Sequence, residues 1–117
     1  MKQKKKFLYE PISIKYIEPP KLKGYKPDIF FVSKSGKLII VETKGEWNAA
    51  DRTKHLFIKQ QYPDLDIRFV FERSSNRISK RSNTTYADIC NGLGRGPFKG
   101  VQWQFADGTI PREWLNE

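Results

Sequence analysis

The sequence predicts an α/β domain built on a mixed central β-sheet flanked by helices. Three observations carry that expectation. Two runs, Ile29-Phe30-Phe31-Val32 and Leu38-Ile39-Ile40-Val41, are apolar at every position, the pattern of strands covered on both faces. A segment from Asn48 to Tyr62 with helical character follows, ended by Pro63, and a third apolar run lies at 66–72. Strand, helix, strand in that order calls for a right-handed crossover and a parallel pair.

Residues 1–6 are a lysine-rich arm. Over 7–17 the pattern partly alternates, with Ile12, Ile14 and Tyr16 on one face and Ser13 and Lys15 on the other, as in a strand. Glu18-Pro19-Pro20 stops any ladder there, because proline donates no backbone hydrogen bond, so the chain to Lys26 is expected to be extended and irregular. Strands at 29–33 and 37–42 follow, joined by a turn at Ser35-Gly36. After a loop at 45–47, Asn48 is a suitable N-cap and Asp51 falls in the first turn of the helix, whose inner face can take Leu56, Phe57 and Gln60. Residues 66–72 read as the third strand and 73–82 as a polar, basic loop. Thr85 caps a short helix over 86–91, with Asp88 at the capping-box position. Gly92, Gly94, Gly96 and Gly100, with Pro97, mark a flexible loop; 102–105 reads as a short strand, and Pro111 fits the first turn of a last helix. No repeat or long linker divides the chain, so residues 7–117 are expected to form a single domain.

Composition narrows the function. At 117 residues, 38% of them hydrophobic, with three Trp, five Tyr and eight Phe, the chain can build a modest core and is not of disordered composition. No apolar run approaches the roughly 20 residues that span a bilayer. The lysine-rich start resembles the head of a signal peptide, but Glu10 and Pro11 interrupt the apolar stretch that should follow it. Together with a lone Cys90, which has no internal partner for a disulfide, this points to an intracellular protein with no membrane partner. Twenty-two Lys and Arg against thirteen Asp and Glu leave a formal charge of +9. A polyanionic partner fits that surplus, nucleic acid above all; the alternative is a basic surface that serves solubility.

The chemistry concentrates between Pro27 and Gly45. Asp28 opens the first apolar run, and Glu42 and Lys44 close the second. Side chains two apart share a strand face, so Glu42 and Lys44 point the same way, while the neighbouring strand can set Asp28 opposite. Thr43 points away, but its backbone carbonyl can reach the same spot. Two carboxylates and a carbonyl suit magnesium, which takes hard oxygen ligands and keeps several waters. A bound ion would polarise a phosphate and acidify a water, and Lys44 would orient that water or offset developing charge. The plain alternative is an edge-strand ion pair between Glu42 and Lys44, with Asp28 merely starting a strand. Charged groups at the end of a buried-type strand favour the metal site, and a metal-dependent nuclease is the leading reading.

Basic residues follow at once. Helical spacing lines up Arg52, His55 and Lys59, with Lys54 near their edge, and these together with the helix N-terminus can receive phosphates. Arg73, Arg77, Lys80 and Arg81 form a second basic run, either in contact with DNA or simply solvated. His55 is alternatively a packed histidine, and Trp47 either stacks on a base or covers the hairpin. With no helix-turn-helix or zinc spacing, recognition through the backbone and by branch shape is expected over recognition of sequence.

These residues also carry a resemblance. Pro27-Asp28, Val41-Glu42-Thr43-Lys44-Gly45, Trp47, Asp51-Arg52, Lys54-His55-Leu56, Pro63, Leu65-Asp66-Ile67-Arg68 and Val70-Phe71 closely resemble the phage endonuclease I family of Holliday junction resolvases. Tyr86, Cys90, Phe105-Ala106-Asp107, Ile110-Pro111 and Glu113-Trp114 extend the match to most of residues 7–115. The chain is similar, more broadly, to the PD-(D/E)xK nucleases. The resemblance implies a restriction-endonuclease-like fold and magnesium-dependent cleavage of branched DNA, with manganese substituting. It further implies a homodimer that swaps its first strands, with 7–20 as swapped strand and bridge, and a place in the host cytoplasm. The family's N-terminal helix brings a further catalytic Glu, whereas only residues 1–6 precede Phe7 here. A non-catalytic, structure-selective DNA-binding module that keeps the nuclease fold is therefore the alternative.

Overall fold

The computed structural model describes residues 13–18 and 21–117. The basic arm at 1–6, the first half of the strand expected at 7–17, and Pro19-Pro20 lie outside the described residues. The central sheet has the strand order β3-β4-β5-β8, formed by Ile29–Val32, Leu38–Lys44, Asp66–Phe71 and Phe105–Asp107. β3 and β4 are antiparallel; β4, β5 and β8 are parallel, so the sheet is mixed. Helix α1, Ala49–Gln61, makes the crossover between β4 and β5 that the sequence pattern requires. Its start is fixed as expected: the Asn48 side chain accepts the Asp51 amide at 2.9 Å.

Side chains alternate across β4 and divide the core. Ile39 and Val41 face Phe31, Val70, Trp114 and Leu115, on the side covered by the short helix α3, Arg112–Leu115. Ile40 faces the other way, against Ile58 of α1 and Tyr16 and Tyr25. Burying Ile39, Ile40 and Val41 completely contributes roughly 1.5–3 kcal/mol for each side chain. β3 departs from the expectation of cover on both faces. It is an edge strand, with Phe31 inaccessible but Val32 43% exposed. An apolar run alone does not say how many neighbours a strand has.

Four further expectations are corrected. The chain before Lys26 is not irregular. β1, Ile14–Glu18, pairs antiparallel with β2, Lys21–Tyr25, and Glu18 stands opposite Lys21, so 21–25 is a strand in a ladder. The inner face of α1 carries His55, Leu56 and Ile58, whereas Gln60 is exposed and Phe57 only half-buried. The glycine-rich segment is a hairpin, not a flexible loop. β6, Asn91–Leu93, pairs with β7, Lys99–Gln102, around one turn of 3-10 helix at Gly96–Phe98. Gly94 is needed there for space, since a Cβ on it would lie 2.7 Å from the Cβ of Phe98. The strand expected at 102–105 is interrupted: Trp103 turns into the core, and its amide donates to the Cys90 carbonyl at 2.9 Å. Helix α2, Tyr86–Cys90, has the anticipated Thr85–Asp88 capping box, and 73–82 is a loop apart from an isolated bridge between Arg77 and Thr85. No helix among the described residues is long and apolar enough to cross a membrane.

Arg68 of β5 is wholly inaccessible and sits between two carboxylates. Its Nε and Nη2 donate to Asp66 at 2.9 and 2.8 Å, its Nη1 and Nη2 donate to Glu117, and its guanidinium lies 5.2 Å from the Trp114 ring centroid. Burial by itself would raise the Asp66 carboxyl, but Arg68 and Lys37 hold it below the usual aspartate range. Arg68 likewise holds Glu117 down. Both folded-state values are depressed, so their contribution is present above the unfolded carboxylate range and is lost as the pH falls through the lowered values. Asp66→Asn should therefore cost about 3 kcal/mol at pH 7 in urea unfolding, because it strips a buried guanidinium of one partner. The gap from wild type should close at a pH where Asp66 is itself protonated.

Candidate active site

Glu42 and Lys44 lie at the C-terminal end of β4 on the face that α1 covers, and Asp28 lies beside that strand end, its amide on Glu42 and its carboxylate on the Thr43 amide. Register explains the meeting. Ile29 stands opposite Val41, so Asp28 falls beside Glu42 as the two strands continue. Glu42 and Lys44 share the face of Ile40, and α1 folds back over them.

Glu42 is 3% exposed. Its Oε2 accepts the Tyr25 hydroxyl at 2.9 Å and the Asp28 amide at 3.0 Å. Its Oε1 faces Lys44 Nζ at 3.9 Å and His55 Nε2 at 3.7 Å. Burial alone would raise the Glu42 carboxyl; His55, the Asp28 amide and the Tyr25 hydroxyl outweigh it and hold the carboxyl below the usual glutamate range. Burial, and then the Glu42 charge, push the Tyr25 phenol far up, so that it stays a donor. Burial also lowers His55, against the pull of Glu42. Lys44 bridges the two sides of the site, with Nζ 3.5 Å from Asp51 Oδ2 in the first turn of α1.

Asp28 is exposed, and its Oδ2 accepts the Thr43 amide at 3.1 Å. A strand residue directs its N–H and C=O to the same edge. The Thr43 amide points to Asp28, so its carbonyl faces that side too. The next carbonyl, of Lys44, points the other way and accepts the Glu72 amide at 3.1 Å. Asp28, Glu42 and the Thr43 carbonyl thus offer three hard oxygen donors around one strand end. Among the described residues no group of three or more His, Cys, Asp or Glu side chains gathers as a metal cage. A donor set of two carboxylates and a carbonyl still fits magnesium, which typically takes one or two carboxylates and fills its other positions with water and phosphate oxygens.

The basic residues expected to meet DNA do not form one surface. Arg52, Arg77 and Lys80 line a groove of about 660 Å³ with Trp47, Asn48 and Asn76, directly beside the N-terminus of α1. Arg52 also donates to the Trp47 carbonyl. Arg73 and Arg81 are exposed on the same loop. Lys59 lies elsewhere, 5.5 Å from the Trp103 ring centroid in a second groove with Asp64, Asp66 and Gln102. Lys54 Nζ sits 5.3 Å from the ring centroid of Tyr25. His55, expected among the phosphate contacts, is 1% exposed and turned toward the sheet between Tyr25 and Phe69. Positions 55, 56 and 58 all face inward, so the helical spacing that aligned His55 with Arg52 and Lys59 chose the wrong side of it. Trp47 is inaccessible and packs on Phe69, Phe71, Tyr86 and Trp103, which leaves no face to stack on a base.

Sequence reasoning missed Tyr25 and Asp51 as parts of the site. Tyr25 lies in the segment read as irregular, where no local pattern marks it. Asp51 reads in sequence as a favourable first-turn charge and as part of the resemblance, with no role at the site assigned to it.

A family model described as Phage endonuclease I matches residues 2–117. Endonuclease I of Escherichia phage T7 is 42% identical over 112 residues, covering 96% of this chain and 67% of that protein. Endodeoxyribonuclease 1 of Enterobacteria phage T3 is 44% identical over 112 residues, covering 96% of this chain and 66% of that protein. The chain therefore spans about two thirds of the length of the curated relatives it matches.

Tyr25→Phe deletes one donor to a buried carboxylate. In metal-free buffer the Glu42 titration, followed by its side-chain carbon resonance, should move upward, and the protein should lose about 1–3 kcal/mol at pH 7. The lowered carboxyl stabilises the fold above the unfolded glutamate range, so the loss should fade as the pH drops below it. An unchanged titration would show that the hydroxyl does nothing for the carboxylate.

Proposed function

The chain belongs to the phage endonuclease I family, and from that premise we propose that it is a magnesium-dependent DNA endonuclease that cuts phosphodiester bonds in branched DNA such as four-way junctions. The observation that carries the reading is the buried Glu42 carboxylate, tied to Asp28 and facing Lys44 at one strand end. Asp28, Glu42 and the Thr43 carbonyl would hold the ion, and manganese, which accepts the same oxygen ligands, substitutes. The chemistry such an ion would supply there is polarisation of the scissile phosphate and a lowered pKa for a nearby water. Lys44 brings a fixed positive charge to the same phosphate, where it orients the attacking water or offsets the charge that develops. Asp51 keeps the Lys44 ammonium near Glu42.

Arg52, Arg77 and Lys80 would carry the backbone of the bound DNA past this point, in the groove beside α1. Such contacts read phosphate positions and shape, which suits a branch better than a sequence, and they make binding salt-sensitive. The active form is a homodimer, as the family resemblance implies. Tyr16 of β1 packs on Ile40, Ile58 and Ile67. Exchanging β1 between two copies would preserve that packing while linking the chains. The protein would act inside the cell that harbours the phage DNA.

With a synthetic four-way junction and magnesium, the wild-type chain is expected to cleave near the branch and to spare a linear duplex of the same sequence. Glu42→Gln and Lys44→Ala should each lower the cleavage rate by about 10²–10³-fold while binding the junction in EDTA at the wild-type level. A wild-type chain that binds the junction but cuts with neither magnesium nor manganese would be a structure-selective binding module, and the enzyme reading would fail.

A further inference from the structure

His55 is the described residue whose placement the proposed chemistry leaves unexplained. Its side chain is fully enclosed, and neither Nδ1 nor Nε2 has a hydrogen-bond partner among the described residues. The imidazole is gripped edge-on by Tyr25 and Phe69, with ring centroids 5.3 and 4.9 Å away and interplanar angles of 87° and 84°. An apolar side chain would fill that slot at lower cost, because a buried polar atom without a partner loses its hydration and gains nothing in return. His55 Nε2 lies 3.7 Å from Glu42 Oε1. The other oxygen of that carboxylate is already fixed by Tyr25 and the Asp28 amide.

We propose that His55 is a positioning residue for Glu42, holding the carboxylate from its buried side so that Oε1 stays turned toward the metal position, and that it makes no contact with DNA. The inference rests on the reading of Glu42 as a metal ligand. Tyr25 and the Asp28 amide pin Oε2, but a carboxylate held at one oxygen can still pivot about that contact. A rigid N–H set behind Oε1 removes this freedom, and a small shift of the carboxylate closes 3.7 Å to a hydrogen bond. Partners of this kind behind a ligand typically change metal affinity by about 10–100-fold. Tyr25 and Phe69 hold the ring so that it cannot swing away, and the α1 backbone fixes its distance from β4.

The test compares His55→Leu, which keeps the bulk without the donor, and His55→Gln, whose amide nitrogen can reach the place of Nε2. The readouts are manganese affinity by electron paramagnetic resonance, junction affinity in EDTA and the thermal midpoint. Manganese binding should weaken about tenfold in His55→Leu and return in His55→Gln, with junction affinity in EDTA unchanged and the midpoint of His55→Leu equal to or above wild type. Unchanged manganese affinity in His55→Leu overturns the proposal, and so does a loss of junction affinity in EDTA, which would make His55 a DNA contact. If His55→Leu does not fold, the decision passes to His55→Gln against His55→Asn, whose shorter amide cannot reach Oε1: equal manganese affinity in these two overturns the proposal, and loss in His55→Asn alone supports it. Failure of the underlying reading looks different, since Glu42→Gln would then bind manganese as well as wild type does.

Discussion

A carboxylate buried at the end of the central strand is the constraint around which the rest is arranged. Glu42 sits where β4 is covered by α1 and is 3% exposed. An ionised carboxylate there is costly unless donors surround it. The fold supplies two at hydrogen-bond distance, a hydroxyl from β2 and a backbone amide from the residue before β3, and sets the Lys44 ammonium and the His55 imidazole within 4 Å of the other oxygen. The Tyr25 hydroxyl and the His55 imidazole are positioned by apolar packing. Tyr25 belongs to the cluster with Ile40, Ile58 and Ile67, and His55 lies against Phe69. The core and the site are thus one construction.

Helix α1 has two roles that follow from its geometry. Its inner face closes the site through His55, while its first turn contributes Asp51 to Lys44 and Arg52 to the neighbouring groove. Rotating the helix by one residue would break both sets of contacts. The Asn48 cap and Pro63, which set where the helix begins and ends, therefore also set the register of the site. On the opposite face Arg68, locked between Asp66 and Glu117, ties the start of β5 to the chain end beyond α3. That pairing lies across the sheet from Glu42, on the face opposite its side chain.

The legible and illegible parts divide by the range of the interactions. The parallel β4–β5 pair, the Asn48 and Thr85 caps and the meeting of Asp28, Glu42 and Lys44 follow from contacts that neighbouring residues or adjacent strands dictate. The β1–β2 pairing is not legible because Glu18-Pro19-Pro20 signals the end of a ladder, while the pairing of 14–18 with 21–25 is decided beyond that local signal. The Gly92–Gly100 segment was read as loose because glycine permits flexibility. Here glycine instead allows close approach, with Phe98 packed over Gly94. His55 went to the wrong face because Arg52, His55 and Lys59 lie within one broad helical arc, and composition could not say where in that arc the sheet begins.

The mixed α/β plan, the carboxylates and the lysine at the strand end, and the family are all legible in local pattern or in residues that keep their spacing. Only the tertiary structure decided that Tyr25 and His55 face Glu42, that Trp47 is core, and that Arg52, Arg77 and Lys80 share a groove while Lys59 does not. The physical reason is that burial and hydrogen bonding at these positions depend on which elements pack together. That choice is made by the whole set of apolar side chains and is not recorded near any one residue.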